Sequence, residues 1–379
     1  MNKCPVSDYC GACQYQGIDY AKQLQIKQEY EEKLLSNFCH VNAIIGMDDP
    51  YNYRNKVQFS FGYDDQKNLI SGYYLPDSHR LFNVDECMLA DKGISRIYNS
   101  IKKIISSLKI PVYDERSHRG FLRHVLIRMS NLNEYMIVLV TAADKVFNIE
   151  ELVNQIIRFN PEVTTVIQNI NFENTSMILG NKNIVLFGKG YITDELLGHR
   201  FRISPSSFYQ INKRQTEILY ATALKAAELN AKDVVIDAYC GTGTIGLCAA
   251  DRVKKVIGIE LNEDAIKDAN INKQLNGINN AEFICADAGK YMLQLSKTKR
   301  KIDCVIMDPP RSGSDQKFMS SLVKMNLSKV VYISCNPQTL KRDLNFLKSY
   351  YEIEKIIPVD MFPFTSHVET VVLMSRVKD

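Results

Sequence analysis

The sequence predicts an α/β protein: a doubly wound, mainly parallel sheet in the C-terminal half, preceded by an α+β domain and a short cysteine-rich segment. Three observations carry this. From about residue 205, short apolar runs alternate with helix-forming segments, the pattern of strands joined by crossover helices. From about 50 to 195, single-residue alternation of apolar and polar side chains dominates and two helical stretches interrupt it, which reads as α+β. Residues 1–17 lack periodicity and carry three cysteines. The expected organisation is a cysteine segment at 1–17, a helix within 18–45 packing on the C-terminal domain, an α+β domain at 46–195 that also carries Cys87, and the parallel-sheet domain at 196–379.

Each element has its own signal. A mostly apolar stripe of Tyr20, Leu24, Lys27, Tyr30, Leu34 and Phe38 predicts a helix over 19–38 with Asp19 as its N-cap. Val57, Phe59, Phe61 and Tyr63 alternate with polar or small residues and predict a strand. Val125–Met129 and Tyr135–Val140 read as a strand pair around Asn131-Leu132-Asn133, and Thr164–Ile167 as a further strand. Helices are expected near 92–108 and 148–158. In the C-terminal half the strands are expected at 234–236, 256–259, 283–284, 304–307 and 330–333, with a last pair, 351–357 and 368–374, as an antiparallel edge.

Bulk properties narrow the function. A chain of 379 residues suits two or three domains, and 45% hydrophobic residues suffice for full-sized cores. With 47 basic and 43 acidic residues the net charge is +4, so any nucleic-acid surface must come from local clustering. No apolar run approaches the roughly 20 residues that cross a bilayer, and Met1–Cys13 lacks a signal-peptide core. The expectation is a cytoplasmic protein with no membrane association and no obligate protein partner. In a reducing compartment the ten cysteines are not disulfides. Cys39, Cys240, Cys248, Cys285 and Cys304 read as small buried residues.

The strand at 234–236 runs into Asp237-Ala238-Tyr239-Cys240-Gly241-Thr242-Gly243-Thr244. Glycines let a backbone turn tightly against a ligand. Glu260, Asp287 and Asp308-Pro309-Pro310 end the following strands, at the edge where open α/β sheets bind ligands. Glu260 is placed to accept from a ribose hydroxyl. The loop begins with Asp237, and an acidic residue suits the cationic amino group and sulfonium of S-adenosylmethionine better than a phosphate. Strand 330–333 delivers Cys335 to the same edge. A cysteine after a strand is ordinarily structural; one beside a methyl donor is a candidate nucleophile. Glu369 opens the last strand between apolar residues, which would raise its pKa and suit it as a base. His367 is the rival base.

The set Ser-Phe-Tyr-Gln at 207–210, Asp-Ala-Tyr-Cys-Gly-Thr-Gly at 237–243, Asp-Pro-Pro-Arg at 308–311, Ile-Ser-Cys-Asn-Pro at 333–337 and Asp-Met-Phe-Pro-Phe-Thr-x-His-Val-Glu at 360–369 closely resembles the RNA uracil-5 methyltransferases. The resemblance runs from Cys4 to the C-terminus. It implies a Rossmann-like methyltransferase sheet, an α+β RNA-recognition domain and a short N-terminal iron–sulfur segment. It implies Cys335 as nucleophile and Glu369 as base, with Gln210, Tyr239, Glu260 and Asp308 around the cofactor. Thr244 and Asp287 match cofactor-contacting positions with side chains different from the usual ones, and Phe364 stands where many members have histidine. Carbon 5 of uracil is a poor nucleophile until a thiolate adds to carbon 6; a base must then remove the carbon-5 proton before the thiolate is expelled.

Cys4, Cys10 and Cys13, with Cys87 far along the chain, form a four-thiolate set. Spacing alone fits zinc or an iron–sulfur cluster. The resemblance selects a [4Fe-4S] cluster, carried on this pattern by the ribosomal branch, in a structural role. Tyr51, Tyr53, Arg54 and Lys56 mix aromatic and basic side chains, and Arg116, Arg119, Arg123, His124 and Arg128 form a second basic stretch; both are expected to grip RNA while the target base is flipped. Many members begin with a small β-barrel RNA-binding domain, which this sequence lacks. The expected substrate is 23S rRNA, with the tRNA T-loop as runner-up. An exocyclic-amine methyltransferase would typically place Asn where Asp308 stands. A non-catalytic iron–sulfur RNA-binding protein would not need both Cys335 and Glu369.

Overall fold

The computed structural model describes residues 4–115, 117–144, 148–173, 177–298 and 300–377. Arg116, named above in the second basic stretch, lies outside them. The chain divides into two units: one of Met1–Gly17, Pro50–Glu195 and Arg202–Ser206, the other of Ile18–Asp49, Leu196–Phe201 and Ser207–Asp379.

In chain order, α1 (Tyr20–Leu35) comes first and belongs to the second unit. The first unit then supplies β1 (Lys56–Tyr63), β2 (Leu69–Tyr74), β3 (Leu81–Asn83), α2 (Lys92–Ser107), β4 (Leu122–Met129), β5 (Tyr135–Thr141), α3 (Ile149–Phe159), β6 (Val163–Ile170) and β7 (Lys182–Gly188). Its strands form one sheet in the order β3-β2-β1-β4-β5-β6-β7. Neighbours are antiparallel except β5 and β6, which the α3 crossover makes parallel. The alternation read in the sequence sends Val57, Phe59, Phe61, Val125, Ile127, Ile137 and Leu139 into one core with Ile94, Ile97, Ile101, Leu152 and Ile156 of the two helices.

A hairpin, β8 (Ile192–Leu196) and β9 (His199–Ile203), leads into the second unit. There follow α4 (Lys213–Ala227), β10 (Val234–Ala238), α5 (Thr244–Ala250), β11 (Lys255–Glu260), α6 (Glu263–Leu275), β12 (Ala281–Cys285), α7 (Ala288–Leu295), β13 (Cys304–Met307), α8 (Gln316–Lys324), β14 (Lys329–Ser334), α9 (Pro337–Leu347), β15 (Tyr351–Val359) and β16 (Glu369–Arg376). The sheet order is β12-β11-β10-β13-β14-β16-β15. The first five strands are parallel; β10, β11, β13 and β14 are largely apolar and buried, as strands covered on both faces must be, while the edge strand β12 is part-exposed. The winding reverses between β10 and β13, so the strand ends there open a crevice.

The last pair is antiparallel, as expected, but β16 is inserted between β14 and β15. That insertion matters for the site. Its register pairs Ile333 with Val371 and Ser334 with Thr370, so one further step sets Cys335 opposite Glu369.

Helix α1 departs from expectation. Asp19 caps it, accepting from the Ala21 amide at 3.0 Å. Its fully buried residues are Gln23, Lys27, Glu31 and Leu35; of the expected stripe Lys27 is buried and Leu34 and Phe38 pack part-buried on the core, while Leu24 and Tyr30 are not buried. The helix buries a polar seam because its partner is polar. Tyr20 Oη and Lys27 Nζ donate to Asp360, at 2.8 and 2.6 Å, and Gln23 Oε1 accepts from the Phe364 amide at 2.8 Å.

Among the cysteines read as core, Cys240, Cys248 and Cys304 are buried, but Cys285 is exposed and Cys39 half-buried. The basic stretch is not a solvated face either. Arg123, His124 and Arg128 are buried, and the two arginines donate to the backbone carbonyls of Asn171, Glu173 and Ser204.

Candidate active site

The crevice is built from the turn after β10. Tyr239 and Gly243 both adopt positive φ, 64° and 80°. A Cβ on Gly243 would lie 2.6 Å from Phe283 Cζ, so a side chain there is excluded twice over, by the left-handed conformation and by the aromatic ring. Glu260, at the end of β11, accepts from the Gly241 amide at 3.1 Å and from the Asn262 amide at 2.9 Å. It therefore braces the glycine turn it neighbours. Asp287 caps α7 through the Lys290 amide at 2.8 Å. Thr244 opens α5, with its hydroxyl 3.4 Å from Tyr220 Oη. Tyr239 Oη lies 2.8 Å from Ser314 Oγ, tying the turn to the segment after β13. Gln210 is buried in the segment before α4.

The acidic groups are prepared for a cation. Asp237 is buried; its Oδ2 accepts from the Gly246 amide at 2.7 Å, while Oδ1 has no hydrogen-bond partner among the described residues. Burial lifts its carboxyl to about 7, and Asp308 and Glu260 push the same way. Burial lifts Asp308 to about 7 as well. A positively charged ligand would repay both carboxylates for ionising. The residues present thus fit the amino-acid and sulfonium ends of S-adenosylmethionine, with Glu260 at the adjoining strand end.

Cys335 follows β14 directly, and Asn336 caps α9 by accepting from the Gln338 amide at 3.0 Å. Burial pushes the Cys335 thiol up to about 11, with Glu369 and Asp308 adding to it and Arg311 opposing. Glu369 is buried, and burial first, then Asp308 and Glu31, hold it well above the ordinary carboxylate range; Arg311 opposes. Arg311 is the cation that opposes both shifts. The Arg311 carbonyl accepts from Asn336 Nδ2 and Thr339 Oγ1, each at 3.2 Å, which fixes this turn against the cysteine loop. His367 is exposed, with its ring edge-on to Phe362 and its proton affinity lowered by burial, Arg311 and Lys27.

Two participants escaped the sequence reading. Arg311 entered it only as a letter in a motif; its position one residue past Asp308-Pro309-Pro310 was the available signal. Glu31 gave no signal at all, since an acidic residue in mid-helix is ordinarily solvated.

In the first unit, turns place Cys4, Cys10 and Cys13 near Cys87, which follows β3. The Cys10 amide bonds the Val6 carbonyl at 2.9 Å, and a Cβ on Gly11 would lie 2.5 Å from Pro76 Cγ. Cys13 is pushed up to about 12, by burial and then by Cys87, Cys10 and Cys4. Among the described residues no group of three or more His, Cys, Asp or Glu side chains is drawn together as a metal site.

A β12-β11-β10-β13-β14-β16-β15 sheet with a glycine turn and acidic strand ends around one crevice defines an S-adenosylmethionine-dependent methyltransferase. Residues 19–377 match the family model for tRNA (uracil-5-)-methyltransferase. An uncharacterised RNA methyltransferase of Staphylococcus aureus is 39% identical over 378 residues, covering 98% of this chain and 83% of that protein. One from Halalkalibacterium halodurans is 40% identical over 378 residues, covering 98% and 82%. Among solved structures, the Pyrococcus abyssi tRNA (uracil-54, C5)-methyltransferase in complex with S-adenosyl-L-homocysteine superposes with a TM-score of 0.81 at 28% identity, over 96% of this chain and 85% of that one. The chain belongs to the tRNA (uracil-5-)-methyltransferase family and is an S-adenosylmethionine-dependent RNA methyltransferase. No helix among the described residues is long and apolar enough to cross a membrane.

Proposed function

We propose that the protein methylates carbon 5 of a uridine in 23S rRNA through a covalent adduct on Cys335. The observation that carries the mechanism is the register of β14 and β16, which sets the thiol of Cys335 opposite the buried carboxyl of Glu369. S-adenosylmethionine supplies an electrophilic methyl group when bound. Gln210, Tyr239, Thr244, Glu260, Asp287 and Asp308 would hold it, and Asp237 would add a carboxylate at the base of the turn. The Cys335 thiolate adds to carbon 6 of the uracil and makes carbon 5 nucleophilic. Glu369 takes the carbon-5 proton after methylation, the carbon 5–carbon 6 double bond re-forms, and the thiolate leaves. Arg311 offsets the negative charge that gathers on this pair.

Cys4, Cys10, Cys13 and Cys87 hold a structural [4Fe-4S] cluster. Support comes from the donor chemistry: besides burial, Cys87 and Cys4 disfavour ionisation of Cys10, the other three cysteines disfavour that of Cys13, and Arg54 eases both, so a bound cation would favour the thiolates. The cluster pattern favours the ribosomal substrate. The T-loop of tRNA is the second reading, favoured by the description of the family model and by the archaeal neighbour's tRNA substrate.

The test is methyl transfer from labelled cofactor to unmodified 23S rRNA and unmodified tRNA transcripts, followed by nucleoside mass spectrometry. 5-Methyluridine is expected in the ribosomal RNA; its appearance in tRNA alone selects the second reading, and its absence from both rejects the function. RNA containing 5-fluorouridine, which has no carbon-5 proton to lose, should give a stable adduct with the protein. That adduct should vanish in Cys335→Ala; survival there would reject the nucleophile.

A further inference from the structure

The turn after β13 runs from Arg311 to the cofactor turn, and α9 holds it at both ends. The Arg311 carbonyl accepts from Asn336 Nδ2 and Thr339 Oγ1 at one end. At the other, Ser314 Oγ lies 2.8 Å from Tyr239 Oη. Between them Gly313 takes φ 77°. A Cβ there would lie 2.5 Å from Arg342 Nη2 and 2.7 Å from Asp343 Oδ2, so the turn is pressed directly onto the helix. Asn336, Thr339 and Asp343 are three and four residues apart, which puts them on one face of α9. Asn336, at the head of that face, follows Cys335.

Asp343 is the buried member of this face, and its carboxylate accepts on both sides. Oδ2 accepts from the Ser314 amide at 3.2 Å and from Tyr332 Oη at 2.8 Å. Oδ1 accepts from Arg342 Nε at 2.8 Å. Arg342 in turn donates through Nη2 to the Ser312 carbonyl at 3.0 Å. An asparagine has one accepting oxygen and one donating nitrogen, so it could not serve both sides at once. Tyr239, at the far end of the chain of contacts, takes φ 64°, a conformation a tyrosine keeps only where its surroundings fix it. Its ring packs on Phe318, centroids 5.4 Å apart, and its hydroxyl meets Ser314.

We propose that Asp343 is a positioning residue for the cofactor: it fixes Ser314 by its amide, Ser314 fixes Tyr239 by its hydroxyl, and Tyr239 holds the turn that receives S-adenosylmethionine. The proposal rests on the reading of Tyr239 as a cofactor contact. Asp343 acts on affinity only through that relay, so its effect must disappear when the relay is already cut at Ser314. A residue that merely supported the fold would act whether or not the serine hydroxyl is present.

The experiment is calorimetric titration of the full chain with S-adenosylmethionine. Ser314→Ala should weaken affinity about fivefold and Asp343→Asn about tenfold, the sizes of a neutral and a charge-assisted hydrogen bond. The double variant should bind within about twofold of Asp343→Asn alone, because both changes cut one relay. Losses that multiply to about fiftyfold would show two separate effects and overturn the proposal. Tyr332→Phe removes a bond to the same Asp343 oxygen and leaves the one to the turn. Its affinity should stay within about twofold of the wild type even where urea unfolding shows lost stability; a loss as large as that of Asp343→Asn would reduce the effect to packing and overturn the proposal. If Asp343→Asn fails to fold, Arg342→Met, which frees the other side of the carboxylate, replaces it in the same cycle with Ser314→Ala. Tyr239→Ala separates the two readings. If it binds as the wild type does, Tyr239 is no cofactor contact and both fall. If it binds weakly while Ser314→Ala and Asp343→Asn bind normally, only the relay is rejected.

Discussion

A buried carboxyl with one oxygen bonded and the other bare is a stored preference for a cation, and Asp237 is in that state. Its raised proton affinity means that below about 7 the cofactor-free protein holds it neutral. A cationic ligand favours the ionised form, so binding expels a proton wherever Asp237 is still protonated. The sign follows by linkage: affinity for S-adenosylmethionine rises with pH up to about 7 and levels off above. Calorimetry in two buffers of different ionisation enthalpy should show proton release on binding at pH 6 and little at pH 8.5. Asp237→Asn should remove the pH dependence and weaken binding by roughly tenfold, the size of one charge-assisted contact. Equal affinities at the two pH values in the wild type would remove Asp237 from the cofactor's charge balance. The acidic strand ends were legible in the sequence because their positions at the carboxyl edge follow from the strand pattern alone. The raised proton affinity of Asp237 was not, since it depends first on burial in the folded sheet and then on the nearness of Asp308 and Glu260.

At the scale of elements, the strands and the span and N-cap of α1 were readable, while the polar part of its buried face was not, for one physical cause. Parallel strands covered on both faces must be apolar throughout, so β10, β11, β13 and β14 announce themselves in composition. The face of a helix is announced only when its partner is apolar. The partner of α1 is the 360–370 segment, more than 300 residues away, and it offers a carboxylate, backbone groups and a hydroxyl. Lys27 and Asp360 are both 0% exposed and 2.6 Å apart. Replacing Lys27 by Met would leave Asp360 buried with only Tyr20 Oη to bond its side chain among the contacts seen. Loss of one partner of a buried pair costs about 3 kcal/mol or more. Lys27→Met should therefore lower the stability of the second unit by that amount in urea unfolding, and slow methyl transfer by misplacing Glu369. Lys27→Met with Asp360→Asn should recover part of the stability. A single variant as stable as the wild type would show that the seam contributes nothing to folding. The same local logic hid the insertion of β16: its composition marks a strand, but nothing in it names β14 as the neighbour.

At the scale of the molecule, each unit carries an apolar core of its own among the described residues. The cysteine segment and Cys87 belong to the first. Closing four thiols on one cluster would link residues 4–13 to the end of the β2–β3 hairpin across a long loop, and a link of that kind stabilises the folded unit that contains it. The second unit has its own core and its own ligand crevice. Removing the cluster should accordingly act unevenly. With Cys87→Ala, or after anaerobic chelation of the iron, amide hydrogen exchange should accelerate by at least tenfold in residues 4–17 and 69–90. It should stay unchanged through 234–246, and S-adenosylmethionine affinity should hold within about twofold, because the glycine turn and its acidic braces lie wholly in the second unit. The iron content and the 400 nm absorbance of the wild type establish the cluster independently of that measurement. Acceleration spread evenly over both units would make the cluster a requirement for the whole fold, and no acceleration anywhere would leave the four thiols without the structural part assigned to them.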